Sequence, residues 1–158
     1  ETEIFFSGGG AMYMDARSIA NGSLLYVKYS GNQTVEKISE NLKNLYDDAE
    51  YFPGMWEFVD VSKAKWDAMG FDSMRRVVRL ANLIGVCPGK EKRISFFAPG
   101  DTSFGMARMF TTLNEIEPGT ILADVFRTEG EALKFLNRPE NHLASLLERP
   151  APFRQTPH

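Results

Sequence analysis

The sequence is poor in the side chains most used for disulfides, metal sites and nucleophilic chemistry: one cysteine, Cys87, and two histidines, His142 and His158, in 158 residues. A single cysteine excludes an internal disulfide and fits a reducing, cytoplasmic setting. Its flanks, Gly85-Val86-Cys87-Pro88-Gly89-Lys90, bring a lysine but no base, so Cys87 reads as a small loop residue and not as an activated thiol. Two histidines near one end and a distant cysteine make no zinc ligand set, and no metal or cofactor is expected. No apolar run approaches the length of a membrane helix. The net charge of −3 gives no basic excess, so nucleic acid is not an expected partner. Residues 1–10, ETEIFFSGGG, have neither the basic start nor the long apolar core of a signal peptide and are set apart as an N-terminal extension.

Recognisable catalytic loops are also missing. The segment GVCPGK has three residues between its glycines where a phosphate loop has four, and Glu91 follows the lysine in place of Ser or Thr. No dinucleotide glycine fingerprint is found. In GDTSFG, Gly100 stands three residues before Ser103, one too many for a nucleophile elbow. A Ser103–His142 hydrolase would need the fold to join distant parts of the chain. The simpler role for Asp101, Thr102 or Ser103 is to cap a helix.

What is present is a composition suited to one globular domain: 43% hydrophobic and 25% charged residues, in a chain long enough to bury a core unaided. Residues 12–16 and 24–29 alternate like strands, and Asn21-Gly22 between them signals a hairpin. Val35, Ile38, Leu42 and Leu45 then mark one face of a helix that Asn32 or Thr34 can cap. A strand follows at 55–61. A second helix carries Met74, Val77, Ala81 and Ile84 on one stripe, with Asp72 as expected cap and Gly85 as stop. Residues 93–98, RISFFA, are apolar enough for a central strand. Phe104, Ala107, Phe110 and Leu113 mark a third helix, residues 120–126 a last strand, and Thr128 with Glu131 a capping box for a fourth helix. Residues 138–158 hold four of the eight prolines and read as a tail with one short helix at ENHLASLLE. The order β-β-α-β-α-β-α-β-α predicts an α/β fold. It would be a single domain over 11–137, with a mixed, mostly parallel sheet of about five strands, an antiparallel edge hairpin and about four helices.

Several polar residues fall where such a fold binds ligands. Asp60 is expected at the C-terminal end of an inner strand, the edge where open α/β sheets hold ligands. Arg75 and Arg76, behind Asp72, form a solvated basic face or an anion and partner surface. Arg108, framed by Phe104, Ala107 and Phe110, is expected to be part-exposed and to seek a carboxylate or snorkel.

The element order, and the segments LLYVKYSGNQTVE, EFVDVS, RISFFAPGDTSFGMARMF and VFRTEGEALKFL, resemble the STAS-like family: sulfate-transporter and anti-sigma-factor-antagonist domains, in particular the small stand-alone bacterial members, related in shape to Sec14-type lipid-binding domains. The resemblance spans residues 12–136. It implies a regulatory or protein-interaction module and no reaction. It also implies a phosphorylation candidate, because Ser73 in FDSMRR matches by position the serine that a partner kinase modifies in anti-sigma antagonists. Met74 and Arg75 depart from that pattern, which has Ser and Gly there, and the 60–72 segment is longer. The surface expected to bind an anion or a protein partner comprises Asp60, Asp72, Arg75, Arg76, Asp101, Thr102, Ser103 and Arg108. The alternative is an apolar small-molecule or lipid pocket drawn from Phe52, Trp56, Trp66, Phe71, Phe104 and Phe110. A Ser103 or Asp60 hydrolase is the third reading. Aromatics at 46–52, taken as exposed, leave a homodimer open.

Overall fold

A computed structural model describes residues 4–7 and 12–147. Strands β1 (Ile4–Ser7), β2 (Met12–Ile19) and β3 (Leu24–Asn32) form an antiparallel run. Strands β4 (Trp56–Lys65), β5 (Lys92–Phe97) and β6 (Ile121–Phe126) continue the sheet in parallel from β3. The strand order is β1-β2-β3-β4-β5-β6, strictly that of the chain. Helices α1 (Val35–Tyr46), α2 (Phe71–Ile84) and α3 (Asp101–Ile116) are the three crossovers, and α4 (Glu129–Phe135) and α5 (Ala144–Leu147) follow β6.

This order determines which face each helix covers. Crossovers of one hand, each stepping to the next strand in the same direction, lie on one side of the sheet. The main core accordingly joins α1, α2 and α3 to the inward residues Leu25, Val27, Val59, Ile94, Phe96 and Val125. The alternate residues Leu24, Tyr26 and Phe58 face the other way, and α4 and α5 cover them with Leu133, Leu136 and Leu146. The central strands are thus covered on both sides, which is why the sequence there lacks a strict polar–apolar alternation. The hairpin turn between β2 and β3 carries positive φ at Ala20, Asn21 and Gly22, the conformation that Asn-Gly favours.

The architecture agrees with the sequence reading, with differences at several ends. Residues 4–7 add an edge strand to the five expected; residues 8–10 lie outside the described residues, as do 148–158 of the expected tail. Strand β4 runs on to Lys65, because β3 offers backbone partners as far as Asn32 opposite Lys65. Asp60 therefore sits within the strand and not at its end. Thr34 and Thr128 cap α1 and α4 as expected, accepting from the backbone N–H groups of Lys37 and Glu131 at 3.2 Å. The caps expected at Asp72 and at Asp101, Thr102 or Ser103 are displaced. Helix α2 starts two residues earlier, from Gly70, and α3 one to three residues earlier, from Gly100, both without a side-chain cap. Both glycines are exposed, so water can satisfy the first N–H groups. Gly85 does end α2.

Candidate functional site

The most unusual group in the molecule is a charged pair inside the main core. Glu57 is the second residue of β4 and Lys92 the first of β5, in the inward register of Val59 and Ile94, so both side chains point under the helices. Lys92 Nζ lies 2.6 Å from Glu57 Oε2, and the two side chains are 0% and 4% exposed. Charges so buried must be paired and hydrogen-bonded. The ammonium also donates to the Gly85 carbonyl at 2.6 Å and to the Tyr51 hydroxyl at 3.2 Å. The Tyr46 hydroxyl donates to Glu57 Oε2 at 2.6 Å, and that of Tyr51 donates to the Gly85 carbonyl at 3.0 Å. Lys92 Nζ stands 4.7 Å from the centre of the Tyr46 ring, close enough for a cation–π contribution.

Gly85 makes this closeness available. A Cβ there would approach the Tyr46 ring to 2.8 Å, pushing the phenol from Glu57. Burial, reinforced by the Glu57 charge, raises the hydroxyl pKa values of Tyr29, Tyr46 and Tyr51 well above the ordinary value of 10.0. Part of the Tyr46 ring reaches the surface, but its hydroxyl end is interior. The aromatics at 46–52 are therefore not the exposed patch that the sequence suggests. Tyr46 and Tyr51 turn inward onto Lys92, and of the three Phe52 alone is exposed.

Beside this cluster, between the sheet and α1–α3, lies a cavity of about 60 Å³. Leu42, Val59, Val61, Met74, Ala107 and Phe110 give it an apolar wall; Tyr29, Tyr46 and Glu57 supply polar groups. Besides Tyr46, its part-exposed members are Trp66 and Met106. Of the aromatics expected around a pocket, Trp66 and Phe110 line it. Trp56 packs on the opposite sheet face, Phe52 and Phe71 are exposed, and Phe104 packs at the core edge.

The residues singled out as a surface divide between the two sides of the sheet. Asp60 is buried on the α4–α5 side, accepting from the Tyr26 hydroxyl at 3.3 Å and from Ser62 N and Oγ at 2.9 and 2.6 Å. Beyond it a pocket of about 300 Å³ is bounded by Asp15, Arg17, Tyr26, Lys28 and Leu147. Ser73, Asp72 and Arg75 occupy the first turns of α2, and Arg76 approaches Glu36 at 4.0 Å. Asp101 pairs with Arg127 at 2.6 Å, Thr102 is exposed, and Ser103 is buried, accepting from Trp66 Nε1 at 2.9 Å. Among the described residues Arg108 finds no carboxylate: it is exposed and lies over the Phe104 ring at 5.5 Å, with Arg127 at 4.2 Å from the same ring. His142 adjoins Leu143 in the α4–α5 core, across the sheet from Ser103, so the fold does not assemble the Ser–His pair. No helix among the described residues is long and apolar enough to cross a membrane.

The Glu57–Lys92 cluster was absent from the sequence reading. Its signal was a charged residue two positions before the inward Val59 and another two before the inward Ile94. Beginning the fifth strand at Arg93 left Lys92 outside it.

No family model and no curated protein matches the chain. Among solved structures it is similar to an uncharacterized DUF3478-family protein from Shewanella loihica PV-4, described as having a SpoIIAA-like fold. The identity is 16%, over 82% of this chain and 98% of that one, with a TM-score of 0.49.

Two outcomes follow from the buried cluster. Lys92→Met alone leaves Glu57 charged and unpaired, and chemical denaturation is expected to show a loss of about 3–5 kcal/mol. Glu57→Leu with Lys92→Met should recover most of that loss; a double variant no better than the single one would show that the pair itself stabilises the fold. The tyrosines set an alkaline limit. Their folded pKa values exceed the unfolded one, so their contribution is complete below pH 10.0 and is lost as pH rises beyond it. Each adds a slope of up to about 1.4 kcal/mol per pH unit. Phenolate absorbance from these residues should rise together with unfolding and not before it, and Tyr29→Phe should flatten the fall.

Proposed function

We propose that this chain is a STAS-like binding module that holds a small apolar molecule between its sheet and α1–α3. The observation that carries this reading is the cavity itself, apolar along its wall and polar at Glu57 and Tyr46. Protein interiors are packed to leave few voids larger than a water. Here about 60 Å³ stays open beside a charged pair that a simpler core would omit. One water needs about 10–15 Å³, and pockets for drug-sized ligands start near 300 Å³. The occupant is accordingly small, or the end of a single chain, in place of a whole lipid. Ser103 and Asp60, the two residues that suggest a hydrolase, are held in internal hydrogen bonds.

A second reading, a regulatory surface for a protein partner, draws on α2. Ser73 is part-exposed in its first turn, between the exposed Phe71 and the arginines Arg75 and Arg76. A phosphate on Ser73 would gain from the helix N-terminus and from those guanidinium groups. The two readings are compatible, since Met74 of the same turn lines the cavity.

Native mass spectrometry of the purified protein is expected to show a small bound mass that is lost on denaturation. Ala107→Leu, which fills the cavity, should abolish it while the protein stays folded. Retention of the mass in that variant would place the ligand elsewhere. For the second reading, Ser73→Asp should change the proteins retained on the immobilised chain relative to Ser73→Ala; identical retention would remove the switch.

A further inference from the structure

On the face of the sheet opposite the cavity, α4 and α5 cover only part of the strands. Beside them lies the pocket of about 300 Å³ bounded by Asp15, Arg17, Tyr26, Lys28 and Leu147. That is the size at which pockets for small organic ligands begin. Strand register determines how its charges are arranged. Across β2 and β3, Arg17 stands opposite Tyr26 and Asp15 opposite Lys28, and the four side chains share one face. Across β3 and β4, Lys28 stands opposite Asp60 and Tyr26 opposite Phe58. One row of this face is therefore Asp15, Lys28 and Asp60, a cation between two carboxylates. The next row is Arg17, Tyr26 and Phe58, of which only Arg17 is charged.

The guanidinium of Arg17 is held in place before any ligand arrives. It lies 5.7 Å from the centre of the Tyr26 ring, a cation–π distance. That ring is itself fixed: its hydroxyl donates to Asp60 at 3.3 Å, and the Phe58 ring packs on it with 6.0 Å between centres. Asp60 is fully engaged, since it also accepts from Ser62 N and Oγ. Arg17 forms no ion pair with a described residue. Such a planar fork recognises a carboxylate or a phosphate through two parallel hydrogen bonds. The charges around it choose between the two. Asp15 and Asp60 offset Arg17 and Lys28, so a dianion would bring a second negative charge toward two carboxylates with no cation to match it. A single carboxylate matches the guanidinium in shape and in charge. A bare anion would leave most of the pocket empty, and Leu147, packed on the α4–α5 core, supplies an apolar wall.

We propose that this pocket binds a small organic monocarboxylate, with its carboxylate paired to Arg17 and its apolar body against Leu147 and Tyr26. The site is separate from the cavity under α1–α3 and does not rest on the reading of that cavity.

The test titrates the full chain with benzoate, benzyl alcohol and phenyl phosphate by NMR at about pH 8, where a phosphate monoester is a dianion. Benzoate is expected to bind most tightly and to shift the amides of residues 15–17, 26–28 and 147. Arg17→Met should weaken benzoate about ten- to a hundred-fold, the span of a charge-assisted hydrogen bond, and leave benzyl alcohol unchanged. Arg17 is part-exposed, so this variant is expected to stay folded, with an unchanged denaturation midpoint as the check. Tighter binding of the alcohol or of phenyl phosphate would overturn the proposal. So would undiminished benzoate binding in Arg17→Met, shifts centred instead on the cavity residues Val59 and Ala107, or binding of none of the three probes.

Discussion

The pairing of Glu57 with Lys92 is the interaction on which the rest of the main core is organised. It joins the beginnings of two adjacent parallel strands, and its outer bonds collect the end of α1 through Tyr46, the following loop through Tyr51 and the end of α2 through Gly85. Two stretches of sequence, residues 46–57 and 85–92, therefore share one polar knot. A buried ion pair is a poor source of net stability, since desolvation offsets most of the attraction. Its geometric demand is strict, however, because every donor and acceptor that loses its partner costs heavily. The knot explains why α2 ends on a glycine, where any side chain would strike the Tyr46 ring.

The sheet treats its two faces differently, and the difference follows from connectivity. Three crossovers in one direction stack α1, α2 and α3 on one side, where a pocket can be enclosed. The other side has only the short α4 and α5, which cover β4 and β5 and leave the β2–β3 end open around Arg17 and Lys28. The same order removes a topological switch point among the parallel strands, the crevice in which many α/β proteins hold ligands. The apolar cavity of this architecture lies between sheet and helices. There the wall is apolar, and the polar groups are Tyr29 of β3, Glu57 near the start of β4 and Tyr46 of α1.

Much of the fold was legible before any coordinates. Val35, Ile38, Leu42 and Leu45 announce α1, Thr128 with Glu131 caps α4, and Asn21-Gly22 turns the hairpin, each through a local rule that needs no partner. The errors have a common cause. The end of β4 depends on how far β3 runs beside it, and Tyr46 and Tyr51 look like surface aromatics until Lys92 is placed beneath them. Asp72 and Asp101 have the right chemistry for caps, but the helices start two residues and one residue earlier, each at a glycine. Of the residues proposed as a surface, Asp101 is tied to Arg127 and Ser103 to Trp66, partners that lie 26 and 37 positions away.

The sequence by itself determined the class of fold, the order of the elements and the apolar stripe of each main helix, because periodicity and capping act over a few residues. It also excluded an internal disulfide, since the chain has one cysteine. Only the tertiary structure decided that Glu57 and Lys92 meet, that Ser103 and His142 lie on opposite sides of the sheet, and that a cavity opens beside Tyr29 and Tyr46. Those outcomes rest on strand register and on which face each crossover covers. Both are properties of long-range pairing, and no local pattern of residues encodes them.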